Sequence, residues 1–282
     1  GFGFMVAGMM LMESIFQVDV LLPAAYSYAP SVASSLLAAI ATKAALYVLA
    51  RIAFTIFGGS ADLVSMAFNG IILPLAVAGI FVGTFMAIYE HDIKKLLAHS
   101  SVAQIGYIAL GFALLTPASV SASFIHIANH ALIKGGLFMA VGSFVLALGR
   151  RADLEQVVGL GRRMPITATA FLICGLSLAG LPLTAGFVSK LYLVRAILES
   201  GSYAILGLVL ASSALSVVYL WKIFEVMWMR PAPAKAPILV ETPAVYIPIL
   251  IVAIANIWFG VDADWIVSGA RLAAAALVGG GT

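Results

Sequence analysis

The sequence predicts an all-α, polytopic transmembrane helical bundle of about eight to nine spans, two of its helices discontinuous. Three observations predict it. Of 282 residues, 63% are hydrophobic and only 10% charged, against roughly 25% charged in soluble domains. Apolar stretches long enough to cross a bilayer recur along the chain. Proline, glycine and alanine interrupt two of them.

With a mean hydropathy of +1.13, the chain has too little polar surface for a soluble domain and too much apolar content for disorder. Cys174 is the sole cysteine. It excludes a disulfide scaffold and any haem or iron–sulfur ligand set, and reads as a small core residue. No cofactor is expected, and the chain is not expected to be a redox catalyst itself. The net charge of +3 in a soluble protein would hint at nucleic acid. Here the basic residues sit mostly in short loops between apolar spans, so membrane topology explains them and no nucleic-acid partner is expected.

The candidate spans, in order, are residues 1–18, 31–57, 66–89, 96–115, 119–148, 165–199, 203–229 and 243–259. The tail, 265–278, is apolar with one Arg271, and is expected to lie along the interface or make a short final span. All belong to one transmembrane domain, 1–282, with parts at 1–57, 66–229 and 243–278. The chain opens on Gly1 without a charged leader, so no signal peptide is expected and an N-terminal part is expected to be missing. Basic loops at 91–95, 150–163 and 230–235 fall on one side if 165–199 crosses once, and the positive-inside rule makes that side cytoplasmic. A prokaryotic inner membrane is the expected location.

A straight helix over 165–199 would be about 52 Å long, far more than a bilayer core requires. Ala179-Gly-Leu-Pro-Leu-Thr-Ala-Gly186 sits in its middle and predicts a break, with a second half running from Gly186 to Glu199. Leu22-Pro-Ala-Ala-Tyr-Ser-Tyr-Ala-Pro30 predicts another, after 1–18. By count the two broken segments run in opposite directions, the signature of inverted transporter halves.

Charged side chains at mid-membrane cost about 2.5–3.5 kcal/mol and tend to be functional. Lys43 has seven residues on each side that are apolar or small, apart from Thr42. It reads as functional, or as a lysine paired with a carboxylate to fix packing. His126, His130 and Lys134, spaced i, i+4, i+8, share one helix face, with Asn129 beside His130. Imidazoles titrate near neutral pH, so the stripe can relay a proton through water. A packing network is the second reading. A zinc site is the third, though no nearby Cys, Asp or Glu completes it. Lys190 follows the second break, where it reads as a gate or terminal proton acceptor, or as a snorkelling lysine. Arg195 reads as interfacial. Glu13, within an apolar run, is expected to pair with Lys43 or another buried cation. Lys222 and Glu225, at i and i+3, are expected to form an interfacial ion pair. Lys94 and Lys95 read as loop charges balanced by Glu90 and Asp92.

Three segments carry a resemblance: His91-Asp-Ile-Lys-Lys-Leu-Leu-Ala-His-Ser-Ser-Val-Ala-Gln-Ile-Gly-Tyr-Ile108, Phe124-Ile-His-Ile-Ala-Asn-His-Ala-Leu-Ile-Lys-Gly-Gly-Leu-Phe138 and Leu178-Ala-Gly-Leu-Pro-Leu-Thr-Ala-Gly-Phe-Val-Ser-Lys190. Together they resemble the proton-translocating, antiporter-like subunits shared by respiratory complex I, membrane-bound hydrogenases and Mrp-type cation/proton antiporters. The stretch from Leu22 to Arg51 looks closest to the D-type branch of the Mrp antiporter subunits. The resemblance implies about 14 helices with two inverted repeats, each holding a broken helix. This chain would be the C-terminal portion. It implies a central hydrophilic axis through Lys43, His126, His130 and Lys134, with Lys190 toward the exit side. It implies, as partners, other membrane subunits of a hetero-oligomeric complex within the lipid bilayer, and protons and Na⁺ as transported ions.

Two departures stand out. Met12 occupies the place of a lysine that the family carries about eleven residues before its Leu-Pro turn, and the His-x-Trp-Leu-Pro turn is altered to Asp19-Val-Leu-Leu-Pro23. The family's glutamate on an earlier helix has no counterpart in this chain. The expected function is a proton-translocating subunit of an Mrp-type Na⁺/proton antiporter. The alternatives are a proton-pumping subunit of a redox complex, a scaffold subunit with an inactive half-channel, and a carrier for an organic solute. The last conflicts with a mid-membrane lining that is mainly cationic.

Overall fold

A computed structural model describes residues 29–56, 61–149, 151–233 and 239–279. The expected first broken helix, with Glu13, Met12 and the altered turn, lies outside the described residues.

Helices α1 (Ser31–Ile56), α2 (Val64–Tyr89), α3 (Ile93–Ala113) and α4 (Pro117–Leu148) come first. A single turn, α5 (Leu160–Arg163), precedes α6 (Pro165–Ala179) and α7 (Ala185–Glu199). Then follow α8 (Tyr203–Met229), α9 (Pro243–Val261) and α10 (Asp264–Gly279). Among the described residues six helices are long and apolar enough to cross a membrane: α1, α2, α3, α4, α8 and α9. There is no strand among them, only an isolated bridge between Asp92 and Asp153.

Local chemistry sets the helix ends. Asp92 caps α3 by accepting from the amides of Lys94 (2.8 Å) and Lys95 (3.2 Å). Thr116 and Ser119 form a reciprocal capping box that starts α4, with Pro117 in the first turn. Lys94 and Lys95 thus belong to the first turn of α3 rather than to a loop. Lys94 is buried and its Nζ reaches the Ala29 carbonyl at 3.4 Å.

The second break forms as expected, one residue earlier in its second half. At about 22 Å, α6 is too short to cross a hydrocarbon core. Gly180 ends it at φ +89, a conformation that favours glycine, and its amide donates back to Leu176 and Ser177. Pro182 supplies no amide hydrogen, and Leu183 turns the chain at φ +68. Helix α7 then resumes at Ala185.

A second interruption was not expected. The tail forms a helix, α10 (Asp264–Gly279), packed on the bundle. Helices α9 and α10 run antiparallel to α4, one after the other. Val252 faces Gly136, Ile266 packs with Ile125, and Ala274 shares a cavity with Ser121. Only Asp262 and Ala263 separate the two helices. Gly260 sits against Leu183 and Thr184, so this interruption lies beside the α6–α7 break.

Two large apolar clusters fill the bundle, beside a small one of Ile125, Val188, Ile266, Val267 and Ala270. One gathers the start of α3, the second half of α4, and α6 with Tyr219 and Ile223. The other gathers α1, α2, the end of α3, the start of α4 and Leu193 and Ile197 of α7. Between them lies a layer of buried polar side chains that includes Ser100, Gln104, Ser123, His126, Asn129, His130 and Ser189.

The chain around His91 is hydrogen-bonded to 152–154, and Gly159 donates to Val226, so the basic segments meet at one end. The expected Lys222–Glu225 pair does not form. Lys222 Nζ instead caps α2 by donating to the carbonyls of Ile88 (3.1 Å) and Glu90 (3.0 Å), while Glu225 pairs with Arg230 at 3.0 Å. Lys222 finds its partners on another segment, and Glu225 finds Arg230 five residues on, at the end of its own helix.

Candidate functional site: a buried lysine–histidine layer

The middle layer is built on α3 and α4. Helix α3 is enclosed on nearly all sides, so its polar residues Ser100, Gln104 and Tyr107 are buried and must find partners inside the protein. The spacing on α4 places His126, His130 and Lys134 on one face, as expected, and all three are buried.

Lys134 is fully enclosed. Its Nζ donates to the Leu97 carbonyl (2.7 Å) and to Ser100 Oγ (2.5 Å), both on α3. His126 is held at both nitrogens: Nδ1 lies 2.8 Å from Ser189 Oγ of α7, and Nε2 lies 3.0 Å from Gln104 Oε1 of α3. His130 stacks on His126, with centroids 5.9 Å apart and planes 13° from parallel. Lys190 turns back across the break to donate to the Ala179 carbonyl at 2.8 Å, and its Nζ lies 5.4 Å from the centre of the Tyr107 ring. Lys43 is buried on α1 and bonded to the Ala38 carbonyl. It lies within electrostatic reach of His126, His130 and Lys134. The fold therefore brings together all five residues singled out on the sequence.

Every partner of these lysines among the described residues is neutral: a carbonyl oxygen or a hydroxyl. No carboxylate pairs with them there, so the packing reading of Lys43 as half of an ion pair gains no support from the described residues. Glu13, its expected partner, lies outside them. No group of three or more His, Cys, Asp or Glu that could hold a metal occurs among the described residues.

Several buried polar atoms of the layer have no hydrogen-bond partner there: both ring nitrogens of His130, Asn129 Oδ1 and Thr42 Oγ1. An orphaned buried polar atom costs about 1–3 kcal/mol. Such groups are normally satisfied by ordered water. Asn129 itself anchors the break, donating through Nδ2 to the Ala185 carbonyl at 2.7 Å. Ser177 links α6, α7 and α9: its Oγ accepts from the Gly186 amide (3.1 Å) and donates to Asn256 Oδ1 (3.0 Å).

Gln104, Tyr107, Ser100, Ser189 and Ser177 were not singled out on the sequence. The available signal was their polarity inside apolar spans, within segments already recognised as motifs.

At the basic end, Glu90 accepts from the amides of His91 (2.8 Å) and Asp92 (3.1 Å). Burial works against its charge, but these amides and the Lys95 and His99 charges hold it below the usual carboxylate range.

The family model described as NADH:quinone oxidoreductase/Mrp antiporter, TM, matches residues 1–216. The chain is 36% identical over 278 residues to the N-type subunit of NADH-quinone oxidoreductase of Desulforudis audaxviator, covering 94% of this chain and 55% of that protein. It is 29% identical over 254 residues to the D-type subunit of the Na(+)/H(+) antiporter of Bacillus subtilis, covering 89% of this chain and 50% of that protein. It therefore spans about half the length of the curated relatives it matches. Among solved structures, a chain of the Mrp complex from Dietzia sp. DQ12-45-1b superposes with a TM-score of 0.88 at 25% identity, covering 98% of this chain and 59% of that one.

Proposed function

Because the chain belongs to the family of NADH:quinone oxidoreductase and Mrp antiporter transmembrane subunits, we propose that it moves protons through the bilayer along Lys43, His130, His126, Lys134 and Lys190. The observation that carries this reading is His130. It is buried between His126 and Lys134, with neither ring nitrogen bonded to a described residue. An imidazole so placed can take a proton at one nitrogen and release one at the other to water on either side. His126, clamped by Gln104 and Ser189, hands the proton toward Lys190 on the second half-helix. Lys190 and Lys134 rest on carbonyls and hydroxyls, which hold an ammonium but accept no proton from it, so release goes to water. Because Lys43 and Lys134 both act on His130, Lys43 and Lys190 both act on His126, and no described carboxylate neutralises them, the protonation states along the layer are coupled. Asn129 supports the path by fixing the break.

In this reading the end carrying 91–95 and 150–163 faces the cytoplasm, and other membrane subunits complete the complex. Subunits of this kind occur both in Mrp-type antiporters and in redox complexes. The resemblance of the stretch from Leu22 to Arg51 favours Mrp-type Na⁺/proton antiport. The 36% identity to an N-type oxidoreductase subunit, against 29% to a D-type antiporter subunit, favours a redox-coupled proton pump. Purification of the native complex separates the two: quinone-reducing activity with proton pumping supports the second, and Na⁺-driven proton exchange without it supports the first.

Lys134→Ala in the full-length protein tests the relay itself. The expected result is an assembled complex with proton transport lost. Wild-type transport in that variant would falsify the relay and leave the scaffold role.

A further inference from the structure

At the end of the bundle away from the basic segments lies a cavity of about 330 Å³. Its walls are the first turns of α4 (Ala118, Ser121), the last turns of α7 (Tyr192, Arg195, Glu199) and Arg271 of α10. None of these residues belongs to the lysine–histidine layer.

Three features make it attractive to an anion. Arg195 and Arg271 come from different helices, and neither lies within 4.0 Å of a carboxylate among the described residues. Arg195 is placed 6.0 Å from the centre of the Tyr192 ring. The cavity takes the N-terminus of a 32-residue helix, the positive end of its dipole. The Ser119 and Val120 amides are bonded to Thr116, while the Ala118 amide has no carbonyl within the helix to donate to. Ser121 is 6% exposed, and its buried Oγ has no partner among the described residues. Glu199 supplies the opposing charge, one turn from Arg195 and unpaired with it.

We propose that this cavity binds the phosphate of an anionic phospholipid headgroup from the leaflet at that end. Two guanidinium groups suit phosphate oxygens, and Ser121 Oγ and the Ala118 amide add neutral donors. The same chemistry would take free phosphate. The surroundings favour the lipid: Leu198 and Leu272, adjacent in sequence to Glu199 and Arg271, are 46% and 74% exposed and offer a seat for acyl chains.

The test uses the full-length protein in its native complex, delipidated and then incubated with phosphatidylglycerol or phosphatidylcholine. Bound lipid is counted by native mass spectrometry. Phosphatidylglycerol should be retained over phosphatidylcholine. Arg195→Gln and Arg271→Gln should each weaken that retention about fivefold, and Ser121→Ala should weaken it without touching a charge. Lys95→Gln, at the opposite end, should leave it unchanged. Equal retention of the two lipids, or an Arg195→Gln/Arg271→Gln variant that binds as the wild type does, overturns the site. Displacement by excess inorganic phosphate overturns the lipid assignment.

Discussion

Lys190 Nζ, near the start of α7, donates to the carbonyl of Ala179 at the end of α6, 2.8 Å away. One ammonium thus ties the two halves of the broken helix at their open ends. It also lies over the Tyr107 ring, whose hydroxyl is bonded to Ser212 of α8. A residue with a proposed proton role thus also helps to hold the break, beside Asn129 and Ser177.

Substitution at this position should separate the two roles. Lys190→Ala should slow proton transport by ~10²-fold or more, the scale of a lost acid–base group, and loosen the break. Lys190→Arg keeps a donor for the Ala179 carbonyl but does not readily release a proton. It should restore thermal stability without restoring transport. Transport assays on proteoliposomes, run beside thermal denaturation of the complex, check both.

The clamp on His126 makes a second prediction. Gln104→Ala strips the partner of Nε2 and leaves Ser189 on Nδ1. Transport should fall several-fold and stability by about 1–3 kcal/mol. Ser189→Ala should do the same from the other side. The double variant should show less than the sum, because both act through one imidazole.

Gly186→Ala tests the packing of the break. An added Cβ would overlap the Ser177 carbonyl oxygen, so backbone must move. The expected cost is about 1–3 kcal/mol or more, read as a lowered Tm. Gly207→Ala is the control, since a Cβ there meets nothing within 4 Å, and alanine is the better helix former. Its Tm should hold or rise.

Asp153 should give a small pH signature. Burial first, and then the facing Asp92, push its carboxyl above the usual range. Its charged form therefore destabilises the folded protein above that raised value, and the penalty disappears as pH falls through it. Asp153→Asn should raise Tm at pH 8 and give no gain at pH 4. The effect should stay under ~0.5 kcal/mol, since the group is largely solvated.

Much of the architecture was legible because the bilayer imposes a length and a polarity on every span. The limits of α1, α4 and α8 fall within about two residues of those read from hydropathy. The α6–α7 break was legible because Gly180 and Pro182 are chemically unlike their neighbours. The Lys222–Glu225 pair was not, because spacing on one helix says nothing of the α2 carbonyls that hold Lys222. The course of α10 was hidden too: a short apolar helix suits an interface as well as the flank of α4.

The sequence by itself determined which residues carry charge into the membrane and which of them share a helix face, because helical periodicity is local. Only the tertiary structure decided what those side chains meet. The bonds that hold the layer together run from Lys134 to α3, from His126 to α3 and α7, and from Lys190 across the break. Each joins residues at least 11 positions apart, and the chain fixes such distances only when its helices pack, since no periodicity reaches from one helix to the next.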